Sequence, residues 1–263
     1  MGVRLVAVCG WGVAVAQFPA PLGVRRSLVP MYAERASRLP GAVVWTNSTD
    51  GSGPGRVLPD GCMDLLWNDG RLLVAGPDTR AYATDGQSSG WAGVRFFPGT
   101  GPGPLGVPAH EVRDRRVELG DLWPAEEVRR LRARVEAAPD PVTALEDVAL
   151  ERAAAVDAPD PVLRRVVTAL DSGRPVAATA DELGLGARQL HRKCLSAFGY
   201  GPKTLARILR LQRALALARG GTAFADTAVR AGYADQAHLA RDVRELAGLP
   251  LGELLGRRVG SAL

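Results

Sequence analysis

The feature that most constrains this chain is an internal repeat near its C-terminus. Ala180-Asp181-Glu182-Leu183-Gly184-Leu185 is echoed 48 residues later by Ala228-Val229-Arg230-Ala231-Gly232-Tyr233. In each copy a small Ala stands four residues before a Gly. The Ala lets a second helix cross closely, and the Gly ends the first helix in the left-handed backbone of a tight turn. Leu190 and Leu239 follow as apolar anchors of the second helices, each trailed two residues later by an arginine, Arg192 and Arg241. One such pattern is weak, but two with matching anchors predict two helix-turn-helix units. A helix predicted from Pro202 to Gly220-Gly221 joins them, with apolar faces from Leu205, Ile208, Leu209, Leu211, Leu215 and Leu217.

The front of the chain has a different texture. From Met31 to Glu118 short apolar runs (Ala42-Val43-Val44-Trp45, Met63-Asp64-Leu65-Leu66-Trp67, Leu72-Leu73-Val74-Ala75, Gly93-Val94-Arg95-Phe96-Phe97) alternate with turn residues. Asp69-Gly70 between two of these runs predicts a hairpin. Pro124-Ala125-Glu126-Glu127 opens a helix carrying Val128, Leu131 and Val135, and a second spans about Pro141 to Val156. The fold class expected is α+β. Its parts are an extension of uncertain status (1–30), a mostly antiparallel β domain (31–118), a helical connector (119–158), an all-α domain with two helix-turn-helix units (159–256) and a tail (257–263). The connector is equally suited to capping the sheet or to pairing with a second subunit.

Leu5 to Ala16 is uncharged and mostly apolar, too short to span a bilayer comfortably. It has the look of a signal peptide, against which stand a buried strand pair and translated upstream sequence before a start at Met31; the start-site reading is favoured, which places the protein in the cytoplasm. Cys9, Cys62 and Cys194 show no metal or disulfide spacing, and His110 is alone in the front half. No cofactor or metal is expected. From Pro159 onward 16 basic residues face 9 acidic ones, a balance of +7, whereas the first 158 residues balance at −2. That asymmetry suits a sensor joined to a nucleic-acid-binding module.

The chain resembles the AraC/XylS family of transcription regulators from about Pro161 to Leu255. The resemblance lies in Leu183-Gly184-Leu185-Gly186-Ala187-Arg188-Gln189-Leu190-His191-Arg192, in Phe198-Gly199-Tyr200-Gly201-Pro202, and in Ala231-Gly232-Tyr233-Ala234-Asp235-Gln236-Ala237-His238-Leu239-Ala240-Arg241. It implies two recognition helices held on one face of a long helix, about one DNA turn (on the order of 34 Å) apart, each entering a major groove. The partner implied is double-stranded DNA, with a small-molecule effector, RNA polymerase and a second copy of the chain as further partners, and no membrane. The front half is implied to be a sensor or dimerisation domain, commonly cupin-like. Leu58 to Trp67, Ala75 to Thr79 and Arg95 to Gly99 look like a small N-terminal domain found on such regulators.

With Leu190 inward, Arg188, His191 and Arg192 face outward, and with Leu239 inward so do Gln236, Ala237, His238 and Arg241. These are the expected base-reading residues, since Arg suits guanine, Gln adenine and Ala a thymine methyl. Gln189, Lys193, Lys203 and Arg207 are expected at phosphates. Asp60, Asp64 and Asp78 are candidate pocket residues, although turn-forming aspartates are commoner. Cys194 and Val243 stand where the family usually has an aromatic and read as core. Asp235 and Asp242 place acid beside the second recognition helix, an arrangement expected to repel phosphate and make that unit more a positioner than a reader. The rival functions are a DNA-repair enzyme transferring an alkyl group to a cysteine, and a protein-interaction adaptor. An activated Cys would need a neighbouring base, which neither Cys62 nor Cys9 has in sequence. The expectation is therefore a regulator rather than an enzyme.

Overall fold

The computed structural model describes residues 4–6, 31–48, 55–84 and 90–256. Apart from residues 4–6, the Leu5–Ala16 run lies outside the described residues, as do Cys9 and the tail 257–263.

Nine strands are described: β1 (Arg4–Val6), β2 (Met31–Ala36), β3 (Ala42–Ser48), β4 (Gly55–Val57), β5 (Met63–Asn68), β6 (Arg71–Ala75), β7 (Tyr82–Thr84), β8 (Trp91–Phe96) and β9 (Arg116–Glu118). Six form an antiparallel sheet in the order β2-β3-β8-β5-β6-β9. The other three form a small sheet, β1-β4-β7, in which β1 runs parallel to β4. The β5–β6 hairpin turns on Asp69 (φ 45°) and Gly70 (φ 77°), two left-handed residues in succession, as the Asp-Gly pair demands. Every residue of β5 is buried, so its apolar residues do not alternate with exposed polar ones.

The sheet's first face carries Val44, Met63, Leu65, Trp67, Leu72, Val74, Val94 and Phe96. Two helices cover it, α2 (Ala125–Ala137) and α3 (Pro141–Ala154), following the single turn α1 (Pro102–Leu105). Val128, Leu131, Val135, Leu145, Val148 and Ala149 belong to the same core as the strands. The connector helices therefore cap the sheet, because their apolar stripes find their partner within the chain. Glu146 on α3 is fully buried and accepts from Arg35 Nη2 at 2.9 Å, Ser37 Oγ at 2.8 Å, and the Arg38 backbone N–H at 2.6 Å. Burial alone would raise its pKa, but the bonds from Arg35, Arg38 and Ser37 outweigh this and hold it at about 2. A depressed carboxyl stabilises the fold above its unfolded pKa and loses that contribution as pH falls. Stability should thus drop by about 3 kcal/mol between pH 4.5 and about pH 2 through this group alone. Urea titrations across that range would show it, and Glu146→Gln should flatten the profile.

The C-terminal region comprises α4 (Pro161–Asp171), α5 (Val176–Glu182), α6 (Ala187–Phe198), α7 (Pro202–Arg219), α8 (Phe224–Ala231), α9 (Gln236–Ala247) and α10 (Leu251–Leu254). It has two cores, and α7 contributes to both. Leu205, Ile208 and Leu209 join Val166, Leu170, Leu190, Cys194 and Phe198 in the first. Leu211, Ala214, Leu215 and Ala218 join Ala228, Tyr233, Leu239, Val243 and Leu246 in the second. One helix thus ties two helix-turn-helix units together through its own packing.

The β domain docks on both units. Leu58, 1% exposed, lies in the core of the second. From the first unit, buried Tyr200 reaches the Gly61 loop.

Candidate nucleic-acid interface

Each unit is built as its sequence requires. Ala180 and Ala228 are buried where the second helix crosses the first, and Gly184 (φ 63°) and Gly232 (φ 87°) make the turns. Leu190 and Leu239 are buried to 0% and 1% exposure, which fixes the rotation of α6 and α9 about their axes. The opposite faces then look outward. On α6, Arg188, Gln189, His191 and Arg192 are exposed. On α9, Gln236, Ala237 and Arg241 are exposed, and Asp235 caps the helix by accepting from the His238 N–H at 2.6 Å.

Two of the histidine and lysine positions have further work. His238 is only partly exposed: its Nδ1 accepts from the Ala234 N–H at 3.4 Å and its ring meets Tyr233 edge-on at 5.1 Å. Lys193 pairs with Asp160 at 2.6 Å, and that bond is the chief reason the Asp160 carboxyl titrates low. Asp160 also caps α4, so Lys193 ties the recognition helix to the start of its unit.

Arg207 has turned inward. Its Nε donates to Asp242 and its Nη2 lies 2.6 Å from Glu245, bonds that hold the guanidinium protonated. Arg210 lies 3.3 Å from the other Asp242 oxygen and stacks over the Tyr233 ring at 4.4 Å, while Tyr233 Oη donates to Asp242 at 3.0 Å. Asp242, 5% exposed, is therefore neutralised within the protein by two arginines and a phenol. Asp242 is thus a buried clamp between α7 and α9 rather than a surface charge that repels phosphate, whereas Asp235 caps α9 and stays exposed at the start of that helix. Nothing in one-dimensional spacing pairs Asp242 with Arg207, 35 residues away.

Between the units an open cleft of about 280 Å³ is lined by Arg174, Lys203, Arg207, Arg210 and Arg213, with exposed Lys203 at its rim. The aspartates of the β domain gather elsewhere. Asp64 accepts from Trp45 Nε1 at 2.8 Å and Arg95 Nε at 3.1 Å. Asp78 takes a two-pronged contact from Arg116 at 2.6 and 2.7 Å. Burial pushes both carboxyls upward against the pull of those arginines. Asp60 accepts from the Cys62 N–H at 2.9 Å, a turn-forming role, and lies 3.8 Å from Arg95. The structure thus brings the three together, as an ion-paired cluster. Cys194 is fully buried, its thiol pushed up to about 12 by that burial, and Cys62 is 3% exposed. Neither has the exposed, electropositive setting of a nucleophilic cysteine.

Two stacked helix-turn-helix units with exposed polar and basic second helices define a DNA-binding domain. Residues 179–257 match the family described as a helix-turn-helix domain, and residues 42–118 match a domain family of unknown function, DUF6597. The C-terminal part of the chain is therefore an AraC-type helix-turn-helix DNA-binding domain, and it follows a β-rich N-terminal domain. Among solved structures it is similar to a probable AraC family transcriptional regulator from Rhodopseudomonas palustris, at 26% identity over 37% of this chain and 96% of that one, TM-score 0.32. It is also similar to apo ToxT K231A from Vibrio cholerae, at 11% identity over 84% of this chain and 98% of that one, TM-score 0.45. An unsaturated fatty acid-bound ToxT matches at 11% identity over 84% and 88%, TM-score 0.43. No curated protein sequence matches this chain. No helix among the described residues is long and apolar enough to cross a membrane.

Proposed function

We propose that the protein reads two adjacent major-groove segments with α6 and α9, and that its β domain modulates that reading. The observation that carries this is the shared outward display of Arg188, His191 and Arg192 on one helix and Gln236, Ala237 and Arg241 on the other, each set fixed by a buried leucine. His238 joins the second set by its position at the helix start. The cleft between the units supports a phosphate path over Lys203 and Arg207, and Gln189 and Lys193 flank the first reading face. An effector bound by the β domain, a second copy of the chain, RNA polymerase as a contact and a cytoplasmic location complete the reading.

Arg192→Ala should cost about 1–3 kcal/mol of binding to the preferred duplex and relax specificity at one base position. Lys203→Ala should weaken all duplexes alike and flatten the salt dependence. Fluorescence anisotropy on duplexes enriched from a random library by the full chain would separate the two. Unchanged affinity in Arg192→Ala would remove the base-reading role of that residue.

A further inference from the structure

We infer that two loops of the β domain, 58–62 and 76–81, form a brace that positions the two reading helices relative to each other. This rests on the proposal that α6 and α9 both read DNA.

Each loop touches both units. In the first loop Leu58 is buried in the second unit's core, while a side chain at Gly61 would meet Tyr200 Oη of the first unit at 3.3 Å. In the second, Pro77 Cγ lies 2.6 Å from where a Cβ on Gly199 would stand, and Ala81 N–H donates to Leu246 O at 2.7 Å. Gly199 is the left-handed residue ending α6, and Leu246 lies in the last turn of α9. Arg56, on the strand leading into the first loop, packs against Gly248, which ends α9. The β domain therefore grips the C-terminal ends of both recognition helices and leaves their exposed N-terminal reading residues clear.

A third grip falls at the middle of α7. Gln212 Nε2 donates to Pro59 O at 2.6 Å, next to the point where α7 passes from the first core (Leu209) to the second (Leu211). A lone helix bends gently along its length, so α7 by itself leaves some freedom between the units. Support at its midpoint and at both recognition-helix ends removes that freedom. The loops are themselves stiffened: Asp60 bonds the Cys62 N–H, and Arg95, Asp64 and Trp45 back it.

The contact keeps two polar atoms at a cost. Gln212 Oε1 and Tyr200 Oη are buried without a hydrogen-bond partner among the described residues. Burying polar atoms in this way costs free energy that an apolar side chain of similar volume would avoid.

The test uses the full chain and the duplex it enriches from a random library, with one or two base pairs inserted between the two contacted segments. Each insertion rotates the segments by about 35°. The parent should lose at least tenfold in affinity on one insertion. The double variant Arg56→Ala/Gln212→Met should lose no more than about threefold, because freed units can follow the displaced segment, while it binds the original spacing several-fold more weakly. A spacing profile in the variant as steep as the parent's would overturn the brace. Should the double variant lose its helical circular dichroism, Gln212→Met alone, which conserves volume, is judged by the same profile. If the parent enriches no sequence, or tolerates scrambling of either segment, the two-segment reading fails instead, and the results stay distinguishable.

Discussion

Asp242→Ala is expected to destabilise the C-terminal domain by about 3–5 kcal/mol, the cost of breaking a buried ion pair. The carboxylate is 5% exposed and serves Arg207, Arg210 and Tyr233 at once. Its removal takes that carboxylate from Arg210, leaves Arg207 with Glu245 alone, and frees Tyr233 Oη from its acceptor. Asp242→Asn keeps the hydrogen-bonding shape but not the charge and should fall between the two. Chemical denaturation would measure both. DNA affinity should fall in step, since the clamp adds to the apolar core that holds α9 against α7. An Asp242→Ala protein as stable as the parent would show that the two arginines are satisfied by solvent and that the clamp contributes nothing.

Leu58→Ala should cost about 2–5 kcal/mol, the range for emptying a well-packed core position. The unusual feature is where the loss is felt. Leu58 belongs by sequence to the β domain but packs with Leu211, Ala214, Leu215 and Leu246 of the second unit. Amide exchange should therefore accelerate in α8 and α9, far along the chain from the substitution, as much as in the strands nearby. Acceleration confined to β4 and β5 would contradict this packing.

Much of the architecture could be read from local rules. The Asp69-Gly70 hairpin, the proline-started helices at 141, 161 and 202, and the paired Ala-to-Gly turns each depend on residues within a few positions of one another. The rotation of both recognition helices also followed, because a single buried leucine in each sets which side chains look outward. What escaped are contacts over long sequence separations. The ion pairs of Arg207 and Lys193 were not visible, because charge on a helix surface does not disclose an acidic partner on another element. Asp242 looked repulsive for the same reason. The apolar stripes of α2 and α3 were visible, but a stripe does not name what it covers. The segments at 58–67, 75–79 and 95–99 stood out as a set; their gathering at one edge of the β domain, against the DNA-binding domain, required the sheet order β8-β5-β6.

That gathering bears on how such a protein can change over evolutionary time. A front domain joined by a tether could be exchanged between regulators by recombination, each half keeping its own properties. Here Leu58 completes the second unit's core, Gln212 is matched to Pro59, and Gly199 leaves space for Pro77. A β domain transplanted onto another reading domain would bring half of each fit and lack the other half. The two halves of this chain must therefore be inherited, and altered, together.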